Sequence, residues 1–177
     1  MNRVHKVVRT PVGALTLVGG DAGLAAILWE DDRPDRVRLD RGPEAPDHPA
    51  LIESGRQLAE YFAGSRTAFT VALDLSTGTE FQQAVWRALR TIPYGETRTY
   101  GQIAAQIGRA TAVRAVGAAN GKNPLSIVAP CHRVIGSTGK LTGFAGGLAV
   151  KQHLLDLESR ANLADAPWVL TSIPTAR

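Results

Sequence analysis

Thr99-Tyr100-Gly101-Gln102-Ile103-Ala104-Ala105-Gln106-Ile107-Gly108, then Arg109-Ala110-Thr111, then Ala112-Val113-Arg114-Ala115-Val116-Gly117-Ala118-Ala119-Asn120-Gly121, is the stretch that decides the fold. Thr99 with Gln102 three positions on is a capping box, the reciprocal pair that starts a helix. Tyr100, Ile103, Ala104 and Ile107 then recur on one helical face, and Gly108 closes it. A second, small-residue helix runs from Ala112 to Asn120 and stops at Gly121. Two short helices joined by a tight turn predict a helix-turn-helix. A plain helical hairpin with no nucleic-acid role fits the same spacing.

The second helix is the informative one. Val113, Val116 and Gly117 form a stripe that can pack inward. Ala112, Ala115, Ala118 and Ala119 leave much of the rest nearly smooth, with Arg114 projecting from it. A helix that reads bases in the major groove needs long polar side chains. A slim alanine-rich helix suits the narrow minor groove, where one arginine can enter the base stack. The same alanines also fit tight packing inside the protein.

Working toward the N-terminus, Thr79 with Gln82 is another capping box, and Phe81, Val85 and Leu89 form one helical stripe. That helix stops before Pro93-Tyr94-Gly95-Glu96, and Ser76-Thr77-Gly78 reads as a linker. Val4–Val8, Ala14–Val18 and Leu24–Trp29 read as strands of an antiparallel meander. Residues 31–49 hold ten charges and four prolines, which predicts a solvated loop unable to order itself firmly. Residues 50–63 read as a helix capped by Gly64, and Phe69–Leu75 as a strand. The sum is a two-domain α/β (α+β) chain. Residues 1–78 form a small antiparallel sheet with a helix. Residues 79–160 form a mostly helical unit with a winged helix-turn-helix-like motif, and 161–177 form a tail.

Working toward the C-terminus, Leu125-Ser126-Ile127-Val128-Ala129 lies between Pro124 and Pro130 and reads as a short apolar strand with a forced stop. Cys131-His132-Arg133 follows at once. Most cytosolic cysteines are inert core residues. Here His132 and Arg133 stand ready to stabilise a thiolate, whose free pKa is about 8.5. His132 adjoins Cys131, so their side chains point apart and a bridging water is the easier route for a proton. An imidazole in that role needs an orienting group. Glu158 is the candidate, because on a helix over Leu148–Glu158 it shares the face of Leu154 and Leu155. Gly143-Phe144-Ala145-Gly146-Gly147 places one aromatic in a flexible stretch, able to wall a pocket for a flat ring.

The chain has 177 residues, enough to bury about 70% of its unfolded surface without a metal or disulfide. Its single cysteine excludes an internal disulfide and, with four histidines, argues against a structural zinc site. No window approaches the ~18 apolar residues of a membrane span. Residues 1–20 lack a signal peptide's apolar core, so a cytoplasmic location is expected. Residues 1–79 hold nine basic and eleven acidic side chains, and residues 80–160 ten and four. The basic second half points toward phosphates, although ordinary charge scatter can produce the same imbalance.

Taken together these residues resemble the O6-alkylguanine-DNA alkyltransferases, the direct-reversal DNA repair proteins. The resemblance runs from Phe81 through Glu158. It rests on Pro93-Tyr94-Gly95-Glu96, Arg114-Ala115-Val116-Gly117, Asn123-Pro124, Pro130-Cys131-His132-Arg133-Val134-Ile135-Gly136 and Gly146-Gly147-Leu148-Ala149-Val150-Lys151. The first 78 residues are similar more loosely, through three strands, a helix and Tyr61-Phe62. The resemblance implies that Cys131 accepts the alkyl group, His132 acts as base through a water, and Glu158 polarises His132. It implies that Asn123 braces the cysteine turn and that Tyr100 offers its hydroxyl to guanine N3. Arg114 fills the gap left by the flipped nucleotide, with Ala112, Ala115 and Thr99 beside it on the DNA-facing surface. The carbonyls of Cys131 and Val134 and the N–H of Ala145 hold the guanine edge against Phe144.

The implied partner is double-stranded DNA containing O6-alkylguanine, with O4-alkylthymine as a further substrate. The implied protein is a monomer with room for cooperative binding on DNA. It needs no cofactor, metal, membrane or protein partner. Some relatives have tyrosine at Phe144 and serine at Ala145, and some bind zinc through first-domain cysteines that this chain lacks. Two other readings remain: a non-catalytic DNA lesion-binding module, and a cysteine hydrolase unrelated to DNA.

Overall fold

The computed structural model describes residues 2–164, with side chains through residue 160. Strands β1 (Val4–Thr10), β2 (Gly13–Gly20) and β3 (Gly23–Trp29) form an antiparallel sheet in that order. Period-2 alternation sends Leu15, Leu17, Ile27 and Trp29 to one face, where Leu51, Leu58 and Tyr61 of α1 (Pro49–Phe62) cover them. The other face presents Val18, Ala26 and Leu28, and Val37 and Leu39 pack on it.

That second layer departs from the sequence expectation. Residues 31–49 are docked on the protein rather than merely solvated. His5 N–H donates to Pro43 O and Ala45 N–H returns to His5 O, extending the sheet edge by one bridge. Gly42 makes this approach possible. Its φ is +65°, and a Cβ there would stand 1.6 Å from Arg3 O. Arg36 is buried, donating to the Asn123 and Ile27 carbonyls and to the Asp32 carboxylate. A charge-rich segment thus orders because its charges find fixed partners elsewhere in the chain.

Helices α2 (Glu80–Leu89), α3 (Tyr100–Gln106) and α4 (Val113–Gly121) pack around Val85, Leu89, Ile103 and Val116. Both expected capping boxes form, at Thr79/Gln82 and Thr99/Gln102. The wing is minimal: β4 (Arg98–Thr99) pairs in parallel with β5 (Val134–Ile135). Helix α5 (Leu148–Ala164) crosses behind the sheet and the cysteine turn, and Leu154 joins the same core as Leu15 and Leu17.

Two expected strands do not form. Over Phe69–Leu75, Leu73 makes a single bridge to Leu24. Over 125–129, Leu125 makes a single bridge to Ile27, and the following residues turn. In each case β3 already has β2 along one edge, and the segment touches its other edge at one point. Val113, expected to pack inward, is 39% exposed, because α4 begins one turn before its buried residue Val116. The helix expected to end at Glu158 continues to Ala164, and residues 165–177 of the tail lie outside the described residues. Among the described residues no helix is long and apolar enough to cross a membrane.

Candidate active site and nucleic-acid interface

The cysteine is delivered by two three-residue turns in succession. Val128 N–H donates to Ser126 O (2.9 Å) around Ile127, whose φ is +75°. This left-handed backbone is unusual for a β-branched residue and costs on the order of 1–3 kcal/mol. Burial of the Ile127 side chain in the shared core anchors it. Cys131 N–H then donates to Ala129 O (2.7 Å) around Pro130, at φ −77° and ψ 71°, an inverse γ-turn. Asn123 spans the whole device: its Nδ2 donates to Ala129 O (2.7 Å), and its Oδ1 accepts from Leu125 N–H (3.0 Å). Cys131, His132 and Arg133 form one turn of 3₁₀ helix, and all three are buried.

Behind them Glu158, fully buried on α5, collects five hydrogen bonds from four residues. Its Oε1 accepts from His132 Nε2 (2.7 Å), the Tyr61 hydroxyl (2.7 Å) and Arg133 Nη2 (2.9 Å). Its Oε2 accepts from Arg133 Nε (2.8 Å) and Gly95 N–H (3.1 Å). Burial by itself raises a carboxyl's pKa, but the His132 and Arg133 contacts outweigh it and hold Glu158 down at about 2. His132 is pushed below its ordinary value, mainly by burial, so its imidazole is neutral. With Nε2–H given to Glu158, its Nδ1 keeps a lone pair. That atom is buried and has no hydrogen-bond partner among the described residues.

Arg133 does not face the sulfur. Its remaining nitrogen, Nη1, donates to Ile92 O (2.6 Å), and its guanidinium lies over the Tyr94 ring at 5.6 Å. The expectation that Arg133 supports a thiolate therefore gives way: it belongs to Glu158. The groups that favour the thiolate are Asn123, Arg36, Ser126 and Lys151, and they only partly offset burial, which pushes the Cys131 thiol up. Three of these were not singled out in the sequence. Lys151 carries a readable signal, since it lies seven positions before Glu158 on the same helical face. Its ammonium is fully buried and donates to Val134 O (2.7 Å) and Thr142 O (3.2 Å). Arg36 and Ser126 carry no local signal.

The helix-turn-helix lies over this site, with Val116 and Ala119 of α4 in the same core cluster as Cys131. The outer face of α4 exposes Val113, Arg114, Ala115 and Ala118, while Ala112 is half-buried at its N-cap. Thr99 is occupied as the N-cap of α3. The Tyr100 ring packs on Gly117, and its hydroxyl hydrogen-bonds Thr142 Oγ1. A cavity of about 480 Å³ opens beside α4 at Ala118, Gly121 and Lys122. Phe144 and Ala145 form another wall, and Asp32, Arg33 and Arg36 complete it. Val134 does not line it; it is fully buried next to Cys131. The structure thus pairs His132 with Glu158 and braces the turn of Cys131 with Asn123, with Phe144 and Ala145 at the cavity and Arg114 on the outer surface.

Fold and site together define a class: a helix-turn-helix protein with a buried cysteine, a neutral histidine beside it and a carboxylate behind that. Comparison with known proteins gives the family. The model for the 6-O-methylguanine DNA methyltransferase DNA binding domain matches residues 80–160, and the model for that family's ribonuclease-like domain matches residues 4–75. This chain belongs to the 6-O-methylguanine DNA methyltransferase family. A methylated-DNA–protein-cysteine methyltransferase of Mycolicibacterium paratuberculosis is 52% identical over 158 residues, covering 88% of this chain and 92% of that one. One from Methanosarcina acetivorans is 47% identical over 154 residues, covering 87% and 97%. The crystal structure of Mycobacterium tuberculosis OGT in complex with DNA superposes with a TM-score of 0.79 at 49% identity, covering 89% of this chain and 93% of that one.

Proposed function

We propose that this chain is a methylated-DNA–protein-cysteine methyltransferase that repairs O6-alkylguanine, and O4-alkylthymine, in duplex DNA. The observation that carries the mechanism is the buried His132–Glu158 pair with a free Nδ1 lone pair beside a protonated Cys131. Glu158 fixes the tautomer. Nδ1 takes the thiol proton through a water, because the two side chains are neighbours in sequence and diverge. The thiolate attacks the alkyl carbon in line, an S–C bond forms and the C–O6 bond breaks. The electron pair goes to the guanine, which regains a proton and its normal pairing edge. A thioether has no easy leaving group, so each molecule acts once. No cofactor enters the balance.

The alkylated base leaves the stack before it can meet the sulfur. Helix α4 enters the minor groove with its smooth face, Ala115 foremost and Ala112 and Thr99 at its border. Arg114 takes the place of the flipped nucleotide. Tyr100 exchanges Thr142 for guanine N3. The carbonyls of Cys131 and Val134 and the N–H of Ala145 hold the base edge, and Phe144 lies against its plane. Asn123 keeps the cysteine turn in place. The division of labour follows two units: residues 1–78 as scaffold, and 79–160 as the DNA-binding and acceptor part. The chain works in the cytoplasm as a monomer.

The test is a duplex carrying O6-methylguanine labelled in the methyl group. Label moves to the protein and saturates near one equivalent, and Cys131→Ala takes none. Continuing turnover, or transfer in the alanine variant, overturns the proposal.

A further inference from the structure

We propose that Trp29, on the last residue of β3, is a positioning residue for the base pocket, holding the Phe144 wall in register with the cysteine turn. This rests on the function proposed above and deepens it. The loop 143–147 has three glycines in five residues and little order of its own. Trp29 supplies that order by two contacts, and a third ties the same ring to the cysteine turn. Its ring meets Phe144 edge-on, with centroids 5.4 Å apart and an interplanar angle of 69°. Gly146 lies flat against the indole: a Cβ there would come within 3.0 Å of three ring atoms. Its Nε1–H donates to Ser126 Oγ (3.2 Å), inside the turn that delivers Cys131.

One indole therefore touches both the Phe144 wall of the cavity and the turn that carries the reacting sulfur. Trp29 is itself held firmly, buried in the sheet core, paired across strands with Leu15, its backbone N–H donating to Asp32 Oδ2 (3.3 Å). Phe144 in turn lines the cavity and stands edge-on to His132 at 6.5 Å. A planar purine has one face to rest on here, and the tilt of that face is set by Trp29. The side chain does not touch substrate. It acts through Phe144 and Ser126, and so its effect is felt by any purine substrate, whether in duplex or free.

Single-turnover rates on O6-methylguanine duplex and on free O6-benzylguanine test this. Trp29→Leu slows both by about ten-fold or more, as a misplaced pocket wall does. Trp29→Phe keeps the ring edge, loses the hydrogen bond to Ser126 and slows both by about three-fold. In Cys131→Ala, which cannot react, O6-benzylguanine alters indole emission, and adding Trp29→Phe removes that change. Losses confined to the duplex, a Trp29→Leu rate within about two-fold of wild type, or an emission change that survives Trp29→Phe each overturn the assignment. Should Trp29→Leu fail to fold, Trp29→Phe and the emission change decide. A wild-type chain that takes no label sinks the proposed function and this inference with it; a labelled wild type with an unaffected Trp29→Leu sinks the inference alone.

Discussion

The turn that carries Cys131 and the outer face of α4 lie close in sequence and are built in opposite ways. From Asn123 to Arg133 every residue is buried, and the polar side chains are held by specific partners. On α4, Val113, Arg114, Ala115 and Ala118 are exposed, and among the described residues Arg114 has no ion-pair partner. The first region stores order: a left-handed isoleucine, two tight turns, and a carboxylate with five donors. The second stores none, and keeps its surface free for a ligand to organise. Attack at carbon tolerates little misplacement, whereas a groove varies from site to site and is best met by a smooth surface.

The sharpest way to break the contrast is to remove the centre of the ordered region. Glu158→Ala strands His132, Arg133 and the Tyr61 hydroxyl, leaving an uncompensated buried cation. It is expected to cost about 3–5 kcal/mol in urea denaturation and to abolish methyl transfer. Undiminished stability would show that the network is ornamental. Acid attacks the same centre without mutation. The folded pKa of Glu158 is about 2 against an ordinary 4.5, so its contribution is complete above 4.5 and is lost as pH falls toward 2. His132 is held below its ordinary 6.5, so the stability of its neutral form is complete above 6.5 and declines as pH drops from there. Cys131 is raised, which weakens the fold only above its ordinary 9.0. The urea midpoint should be level between pH 7 and 8 and fall from pH 6.5 downward; a midpoint that rises on acidification contradicts both assignments.

The open region should respond differently. Arg114→Ala leaves the fold and the reaction with free O6-benzylguanine unchanged, and slows repair of duplex by about ten-fold or more, because flipping costs a few kcal/mol that the inserted arginine helps offset. Equal losses on both substrates would remove Arg114 from the flipping step. The smallest effect is at the border. Thr99→Ala deletes an N-cap and should cost about 1 kcal/mol of stability in thermal melts, with little change in reaction at the free base.

What was legible in the sequence follows the range of the forces involved. The capping boxes at Thr79 and Thr99 were readable because donor and acceptor sit three residues apart. The His132–Glu158 pairing was readable because Pro130 and the helical face of Leu154 constrain both ends. Arg36 was not, since its burial depends on the carbonyl of Asn123, far along the chain. The 125–129 segment misled because its apolar composition belongs equally to a strand and to a packed turn, and only contact with Ile27 decides between them. Arg133 misled because nearness in sequence to Cys131 says nothing of which way a side chain on a 3₁₀ turn points.

The buried, protonated state of the sulfur has one more consequence. A protein that can act once is ruined by any earlier reaction at the same atom. Peroxides and soft electrophiles consume exposed thiolates first. Cys131 offers them neither the anion nor access: it is 4% exposed and burial keeps its proton in place. Burial therefore works as a safety catch through the idle life of the molecule, making the sulfur a poor target for peroxides and soft electrophiles.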